Sequence, residues 1–315
     1  MTAPFAVVFP GQGSQAVGML DAWGDHPEVR LVLEEASAVL GEDIGALIHA
    51  GPKDQLDLTT NTQPVMLTAG IACWRAFVAE TGAVPVAAAG HSLGEYTALV
   101  AAGALSLADA LPLVRFRAQA MQEAVPVGTG AMYAILGLDG DAVRAGCAQA
   151  AAETGEAIEA VNFNDPKQTV IAGSKAGAEK AAEILKAAGA KRALPLPVSA
   201  PFHSSLMKPA AERLKEKLAS VQFKAAAFPV INNIDVAVTD SDDAMRDALY
   251  RQAFGPVRWV EVVQALKARG VVHLIEAGPG KVLSGMAKRI DAELQAACVF
   301  DPASLAEARS LLGGG

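Results

Sequence analysis

Residues 88–95 read Ala88-Ala89-Gly90-His91-Ser92-Leu93-Gly94-Glu95, at the point where an apolar run gives way to a helical pattern. Gly90-x-Ser92-x-Gly94 between a strand and a helix is the context that a nucleophile elbow needs. The glycines let the backbone turn sharply and hold the serine in a strained conformation. The helix N-terminus favours developing negative charge, and the amide of Leu93 points where an oxyanion would form. The plain alternative is a glycine-flanked serine that caps the helix. A strand leading in and a helix leading out favour the nucleophile.

Working outward, residues 5–9 form a short apolar run ended by Pro10-Gly11, a buried strand. Residues 28–40 carry helical periodicity. Residues 62–80 read as a helix with Pro64 near its start, 84–89 as a strand and 93–102 as a helix. Ser106-Leu107-Ala108-Asp109 looks like a capping box opening a helix to about Glu123, which Pro112 fits poorly. This alternation predicts an α/β core with a mainly parallel sheet. After Gly128-Thr129-Gly130, a hinge signal, the pattern changes. Strand 132–136, helix 139–153, strands 158–163 and 168–172 about an Asn164-Asp165-Pro166 turn, helix 175–188 and strand 191–197 follow. That βαββαβ order is a ferredoxin-like unit. The predicted organisation is a core of residues 1–126 and 199–315 with an inserted subdomain at 127–198. Residues 230–233 and 271–275 read as further core strands, and Gly313-Gly314-Gly315 as a frayed end.

The chain has 315 residues, 52% of them hydrophobic and 19% charged, enough for a large core and against disorder. A net charge of −8 argues against a nucleic-acid partner. Cys73, Cys147 and Cys298 show no metal or disulfide spacing and read as buried thiols. No targeting segment or membrane span is evident, so a cytoplasmic protein is expected.

A serine nucleophile needs a base. Among five histidines, His26 and His49 lie in polar contexts and read as surface residues. The side chain of His91 would point away from Ser92 and pack. His273 reads as a satisfied core histidine. His203, in the loop after the insert, suits a base brought back across a cleft and is favoured. The loop Pro10-Gly11-Gln12-Gly13-Ser14-Gln15-Ala16 meets the loose dinucleotide fingerprint, which needs an acidic residue at a second strand's end. Glu34 and Glu35 have the spacing but lie in a helical pattern. The loop either contributes a second oxyanion donor beside the elbow or is a turn with no role. Arg115 and Arg117 lie on different helix faces. Either both are surface residues, or one faces inward and needs an anion that its planar fork matches.

These motifs occur in a specific order. Phe9-Pro10-Gly11-Gln12-Gly13-Ser14-Gln15, Thr62-Gln63-Pro64, Gly90-His91-Ser92-Leu93-Gly94-Glu95 and Met121-Gln122-Glu123-Ala124 come first. Gly128-Thr129-Gly130-Ala131-Met132, Val161-Asn162-Phe163-Asn164, Phe202-His203-Ser204 and Asn232-Asn233 follow. Gly278-Pro279-Gly280-Lys281-Val282-Leu283 and Asp301-Pro302-Ala303-Ser304-Leu305 close the series. In that order they resemble the malonyl-CoA:acyl carrier protein transacylases of bacterial fatty acid synthesis, over nearly the whole chain. The resemblance implies an α/β fold with a hydrolase-like parallel-sheet core and a ferredoxin-like insert. It implies transfer of a malonyl group from malonyl-CoA to the phosphopantetheine thiol of acyl carrier protein through a malonyl-serine intermediate.

The same resemblance implies residue roles. Ser92 is the nucleophile and His203 its base, oriented by the main-chain carbonyl of Gln252 rather than by an aspartate. The amides of Gln12 and Leu93 form the oxyanion hole, and Arg117 binds the malonyl carboxylate. Met121, Asn162 and Phe202 meet the substrate, with Phe202 filling the space a methyl branch would need. No metal or resident cofactor is implied, and the pantetheine arm belongs to the carrier. Lys281, Lys288 and Arg289, or Lys191 and Arg192, offer a basic patch for that acidic partner, or are ordinary solubilising charges. A monomer, with no nucleic-acid or membrane partner, is expected. The competing readings are a thioesterase, for which no aspartate is clearly placed, a non-catalytic binding module, and a polyketide synthase domain, for which flanking segments are lacking.

Overall fold

A computed structural model describes residues 3–198 and 200–313. The first stretch runs β1 (Phe5–Phe9), α1 (Pro27–Leu40), α2 (Ile44–Ala50), α3 (Lys53–Leu56), α4 (Thr59–Thr81), β2 (Ala87–Gly90), α5 (Leu93–Ala101) and α6 (Leu107–Glu123). Then come β3 (Gly130–Leu136), α7 (Gly140–Thr154), β4 (Ile158–Asp165), β5 (Gln168–Ser174), α8 (Lys175–Ala187) and β6 (Arg192–Pro195). The chain returns through α9 (Lys208–Ala219), β7 (Val230–Ile231), α10 (Asp242–Gln252), α11 (Trp259–Ala268), β8 (His273–Ala277), α12 (Val282–Ile290), β9 (Gln295–Val299) and α13 (Pro302–Leu311).

The core sheet is parallel, in the order β7-β2-β1-β8-β9. β1 and β2 read as unbroken apolar runs because helices cover both faces of the sheet. In β1, Phe5, Val7 and Phe9 join the α1–α4–α6 side, while Ala6 and Val8 join the side built by α11 and α12. The chain moves outward from β1 through β2 to β7, then crosses to β8 and β9 on the other side. The strand order therefore reverses between β1 and β8, while the Gly11 loop and the Ser92 turn leave the carboxyl ends of the neighbouring strands β1 and β2 side by side.

The second sheet is antiparallel, in the order β4-β5-β3-β6, the ferredoxin-like arrangement. Alternation along β3 sends Ala131, Tyr133 and Ile135 toward α7 and α8, and Met132 and Ala134 to the opposite face beside Phe202. Backbone bonds Phe163 N–H to Val257 O (2.9 Å) and Val257 N–H to Val161 O (2.8 Å) tie β4 to the core. Arg289 Nε adds a bond to Asp165 Oδ2, 2.6 Å.

Several expectations shift. The second strand starts at Ala87, and Val84 and Val86 are exposed. Asn164 and Asp165 finish β4, so the turn falls on Pro166 and Lys167. Pro64 and Pro112 lie inside α4 and α6, each helix continuing through its proline. The Ser106 hydroxyl accepts from the Asp109 amide, yet its return bond goes to the Asp109 carboxylate. The complete capping box is at Asp301 and Ser304. Gly130 serves contact rather than slack, since a Cβ there would lie 2.4 Å from Pro201. β9, α2, α3 and the helices after the insert were not foreseen. Of the expected frayed end Gly313-Gly314-Gly315, Gly313 donates its amide to Ser310 O at 3.0 Å, and Gly314 and Gly315 lie outside the described residues. The three cysteines are free and buried, and burial pushes Cys73 and Cys147 up to about 12 and Cys298 to about 11. Among the described residues no helix is long and apolar enough to cross a membrane.

Candidate active site

Ser92 has φ 53° and ψ −107°, a backbone conformation that a residue with a side chain adopts only when its surroundings force it. The glycines supply the force. A Cβ on Gly90 would lie 1.8 Å from Gly94 O, and one on Gly94 would lie 2.1 Å from Phe9 O. Strand end, turn and helix start interpenetrate to a degree that no other residue permits. Asn233 clamps the turn from outside. Its Oδ1 accepts from the Ser92 amide (2.7 Å), and its Nδ2 donates to Gly90 O (2.7 Å). Ser92 occupies the N-cap position of α5, but its hydroxyl caps nothing.

That hydroxyl faces His203. Ser92 Oγ and His203 Nε2 are 2.7 Å apart, and His203 Nδ1 is 2.9 Å from Gln252 O. A proton on Nδ1 donated to the carbonyl leaves Nε2 free to accept from serine. Gln252 ends α10, so its carbonyl is one of those the helix leaves unpaired, at the negative end of the dipole. It orients the ring as a carboxylate would, without a full charge. His203 itself has φ 67°. Burial, and then the Arg117 cation, push its pKa down to about 3, so the free imidazole is neutral.

Arg117 decides between the two arginines. Arg115 lies toward the surface and pairs with Glu42. Arg117 is 1% exposed. Its Nη1 donates to Gln63 Oε1 (2.8 Å), and Nη2 reaches Ser92 Oγ (3.1 Å) and Gln252 Oε1 (3.1 Å). Its guanidinium carbon lies 5.4 Å from the Tyr96 ring centre. All these partners are neutral. A buried cation without an adjoining anion is costly, and this one lies against Ser92 Oγ.

The Gly11 loop lies against the elbow, since a Cβ on Gly11 would sit 2.7 Å from His91 O. Gln12 Nε2 donates to Thr59 Oγ1 at 3.3 Å. Among the described residues nothing accepts from the main-chain amide of Gln12 or of Leu93. Glu34 and Glu35 lie on α1, which removes the acidic strand end that a dinucleotide site needs. Met121, Met132, Asn162, Val198 and Phe202 wall the cleft above Ser92, between the two sheets. The buried Asn162 Oδ1 has no partner among the described residues. A second hollow runs on from it, lined by Ser14, Asn164, Gln168 and Met286.

The other histidines divide differently from expectation. His91 packs on Trp259, as expected, and its Nε2 also meets Asn164 Oδ1 of β4 at 2.8 Å. His273 opens β8 half-buried, and its buried Nδ1 has no partner among the described residues, so it is not a satisfied core histidine. His49 is exposed, but on α2 rather than in a loop. His26 occupies the N-cap position of α1 without a capping bond and is half-buried rather than on the surface, its ring edge-on to Trp23. Of the basic residues, Lys281, Lys288, Lys191 and Arg192 are exposed, whereas Arg289 is engaged by Asp165.

Sequence reading gave no role to Gln63, Glu95 and Asn233, although each lies in a quoted motif. Glu95 is 2% exposed and accepts from Gln252 Nε2 (2.9 Å) and the Asn233 amide (2.8 Å). Burial lifts its carboxyl to about 7 against those donors. The partners stand well over a hundred residues away, so no local pattern announces them.

Residues 6–295 match the acyl transferase domain family. The chain is 52% identical over 308 residues to the malonyl CoA-acyl carrier protein transacylase of Escherichia coli (strain K12), covering 98% of this chain and 99% of that one. It is 46% identical over 301 residues to the enzyme of that name from Bacillus subtilis (strain 168), covering 95% and 94%. The crystal structure of an acyl-carrier-protein S-malonyltransferase from Burkholderia pseudomallei 1710b superposes with a TM-score of 0.96 at 66% identity, covering 98% and 100%. A malonyl-transacylase solved in complex with its type II PKS acyl-carrier protein superposes at 0.95 with 49% identity, covering 99% and 100%.

Proposed function

Since the chain belongs to the acyl transferase family, among the malonyl CoA-acyl carrier protein transacylases, we propose that it transfers malonyl from malonyl-CoA to the pantetheine thiol of acyl carrier protein. The observation that carries this reading is the Ser92–His203 pair with the buried Arg117, which makes no direct ion pair among the described residues, at 3.1 Å from the same oxygen. The malonyl carboxylate docks on Arg117. Ser92 Oγ attacks the thioester carbonyl while its proton passes to His203 Nε2. The amides of Gln12 and Leu93 receive the oxyanion. The carbon–sulfur bond breaks, and the departing CoA sulfur takes the proton from His203. In the second half the carrier's thiol gives its proton to His203, attacks the malonyl-serine ester and leaves with the acyl group, and Ser92 recovers its proton.

A carbonyl in place of an aspartate leaves His203 less polarised, and the arginine clamp holds the malonyl group still. Both favour a thiol over water as acceptor. Met121, Asn162 and Phe202 border the acyl group, and Phe202 fills the space of a methyl branch. A packing contact of this kind discriminates by about 1–3 kcal/mol. The free Asn162 oxygen suits an amide N–H of the pantetheine arm. The chemistry uses protein groups alone, so we assign no resident cofactor. The insert is taken as residues 127–198 on a core of 1–126 and 199–315. The enzyme acts as a cytoplasmic monomer with no nucleic-acid or membrane partner. Lys281 and Lys288, or Lys191 and Arg192, meet the acidic carrier.

Intact-protein mass spectrometry after malonyl-CoA, then after holo acyl carrier protein, tests the core of this reading. The expected result is a malonyl adduct that Ser92→Ala abolishes and that moves to the carrier. An adduct that decays to free acid with or without carrier would mean a hydrolase.

A further inference from the structure

We propose that Glu95 is a positioning residue: it fixes which way the Gln252 amide faces and thereby aims Arg117 at the carboxylate of the acyl group. The proposal rests on the reading of Arg117 given above. Glu95 lies one turn into α5 from Ser92, beneath the elbow, and is buried. Its Oε2 accepts from Gln252 Nε2 at 2.9 Å. The same Nε2 donates to Ser92 O (2.9 Å), and the other end of the amide, Oε1, accepts from Arg117 Nη2 (3.1 Å).

The two ends of a side-chain amide are nearly equal in size, so sterics do not choose between its two orientations. Hydrogen bonding must. Turned over, Gln252 would set an N–H against the guanidinium N–H, and an oxygen against both Ser92 O and the Glu95 carboxylate. Ser92 O is a single neutral acceptor. Glu95 Oε2 also accepts from the Asn233 main-chain N–H at 2.8 Å, a donor that cannot turn round, so this oxygen offers Gln252 a lone pair whether or not the other carboxyl oxygen carries a proton. Glu95 therefore supplies most of the preference for the orientation that offers an oxygen to Arg117.

The amide also keeps two opposite charges apart. Among the described residues Glu95 and Arg117 form no ion pair, and Gln252 stands between them. A direct pair would satisfy the cation and leave it less free for substrate. With the amide interposed, Nη2 stays beside Ser92 Oγ, held on one side by Gln252 and through Nη1 by Gln63. The backbone of Gln252 holds His203 at the same time. One residue thus ties base, nucleophile turn and substrate cation together, and Glu95 locks that residue.

The test compares adduct formation from malonyl-CoA and from acetyl-CoA, which lacks the carboxylate, by intact mass under single-turnover conditions. Glu95→Leu is expected to lower the malonyl-over-acetyl preference by at least about tenfold. Glu95→Gln, whose amide oxygen can still accept, is expected to keep it within about threefold. Asn233→Ala, which loosens the elbow but leaves the Gln252 amide in place, is expected to slow both substrates equally. If Glu95→Leu slows both equally, or leaves both unchanged, Glu95 is a structural residue only and the proposal fails. Should melting show that Glu95→Leu does not fold, Gln252→Met breaks the same bridge and keeps the main-chain carbonyl. The same loss of preference is expected there, and equal slowing overturns the proposal. A wild-type enzyme without malonyl preference would instead sink the reading of Arg117 itself.

Discussion

Arg117 and His203 meet at one serine oxygen, and their charges bear on each other. Burial, and after it the cation, lowers the histidine's proton affinity and keeps the imidazole neutral. On the proposed reading, malonyl binding brings a negative charge to the arginine and relaxes that pressure just as His203 takes a proton. Removing the guanidinium therefore has two expected effects. Arg117→Ala should lower malonyl loading by roughly a hundredfold, the loss of a buried charge-assisted pair of about 2–3 kcal/mol. It should also raise the His203 pKa above its value of about 3, read by NMR of the imidazole. In the folded enzyme His203 stays neutral to about 3, whereas in the unfolded chain it protonates near 6.5. Its contribution is thus fully present above pH 6.5 and is lost as pH falls toward 3. Glu95 works the other way. Its carboxyl titrates at about 7 folded and 4.5 unfolded, so it costs stability as pH rises through that window. Melting curves should then show Glu95→Gln gaining on the wild type between pH 4.5 and 7, and a difference flat with pH would contradict the raised pKa.

At the scale of elements, the elbow is a junction of β1, β2 and α5 held by two glycines and one asparagine. Gly90→Ala drives a methyl into the Gly94 carbonyl and should destabilise by on the order of 4 kcal/mol or prevent folding, seen in thermal melts. This junction was legible because its demands are local: a strand, a spaced glycine pair and a helix lie within a dozen residues. The βαββαβ insert was legible for the same reason, from short alternating strands and well-marked helices. β7 is two residues long, and β9 (Gln-Ala-Ala-Cys-Val) shows little alternation, so neither gave a full signal. The Glu95–Gln252–Asn233 network was beyond reach, because its bonds join segments that only the folded chain brings together. Gln252 entered through family resemblance, and its helix-end carbonyl explains physically why no aspartate was found.

At the scale of the molecule, the cleft lies between two sheets, with Ser92 and Arg117 on the parallel-sheet side and Met132, Asn162 and Leu196 on the antiparallel-sheet side. A carrier protein must bring its arm to that cleft past an overall acidic surface, so docking depends on local cations. Lys288→Glu should raise the KM for acyl carrier protein several-fold and leave malonyl adduct formation unchanged, and added salt should mimic it. If both half-reactions respond alike, the basic group near α12 is not the docking face.

The strand order also has a consequence for synthesis on the ribosome. β1 lies in the middle of its sheet, yet its partner β8 comes more than 260 residues later. At roughly 5–20 residues per second, the Phe-Ala-Val-Val-Phe strand waits about 13–50 s with one edge unpaired. Apolar, charge-free strands with open edges invite association with other chains. Nascent chains halted before His273 should therefore recruit chaperones and be cut readily by protease, whereas chains released past Val299 should not.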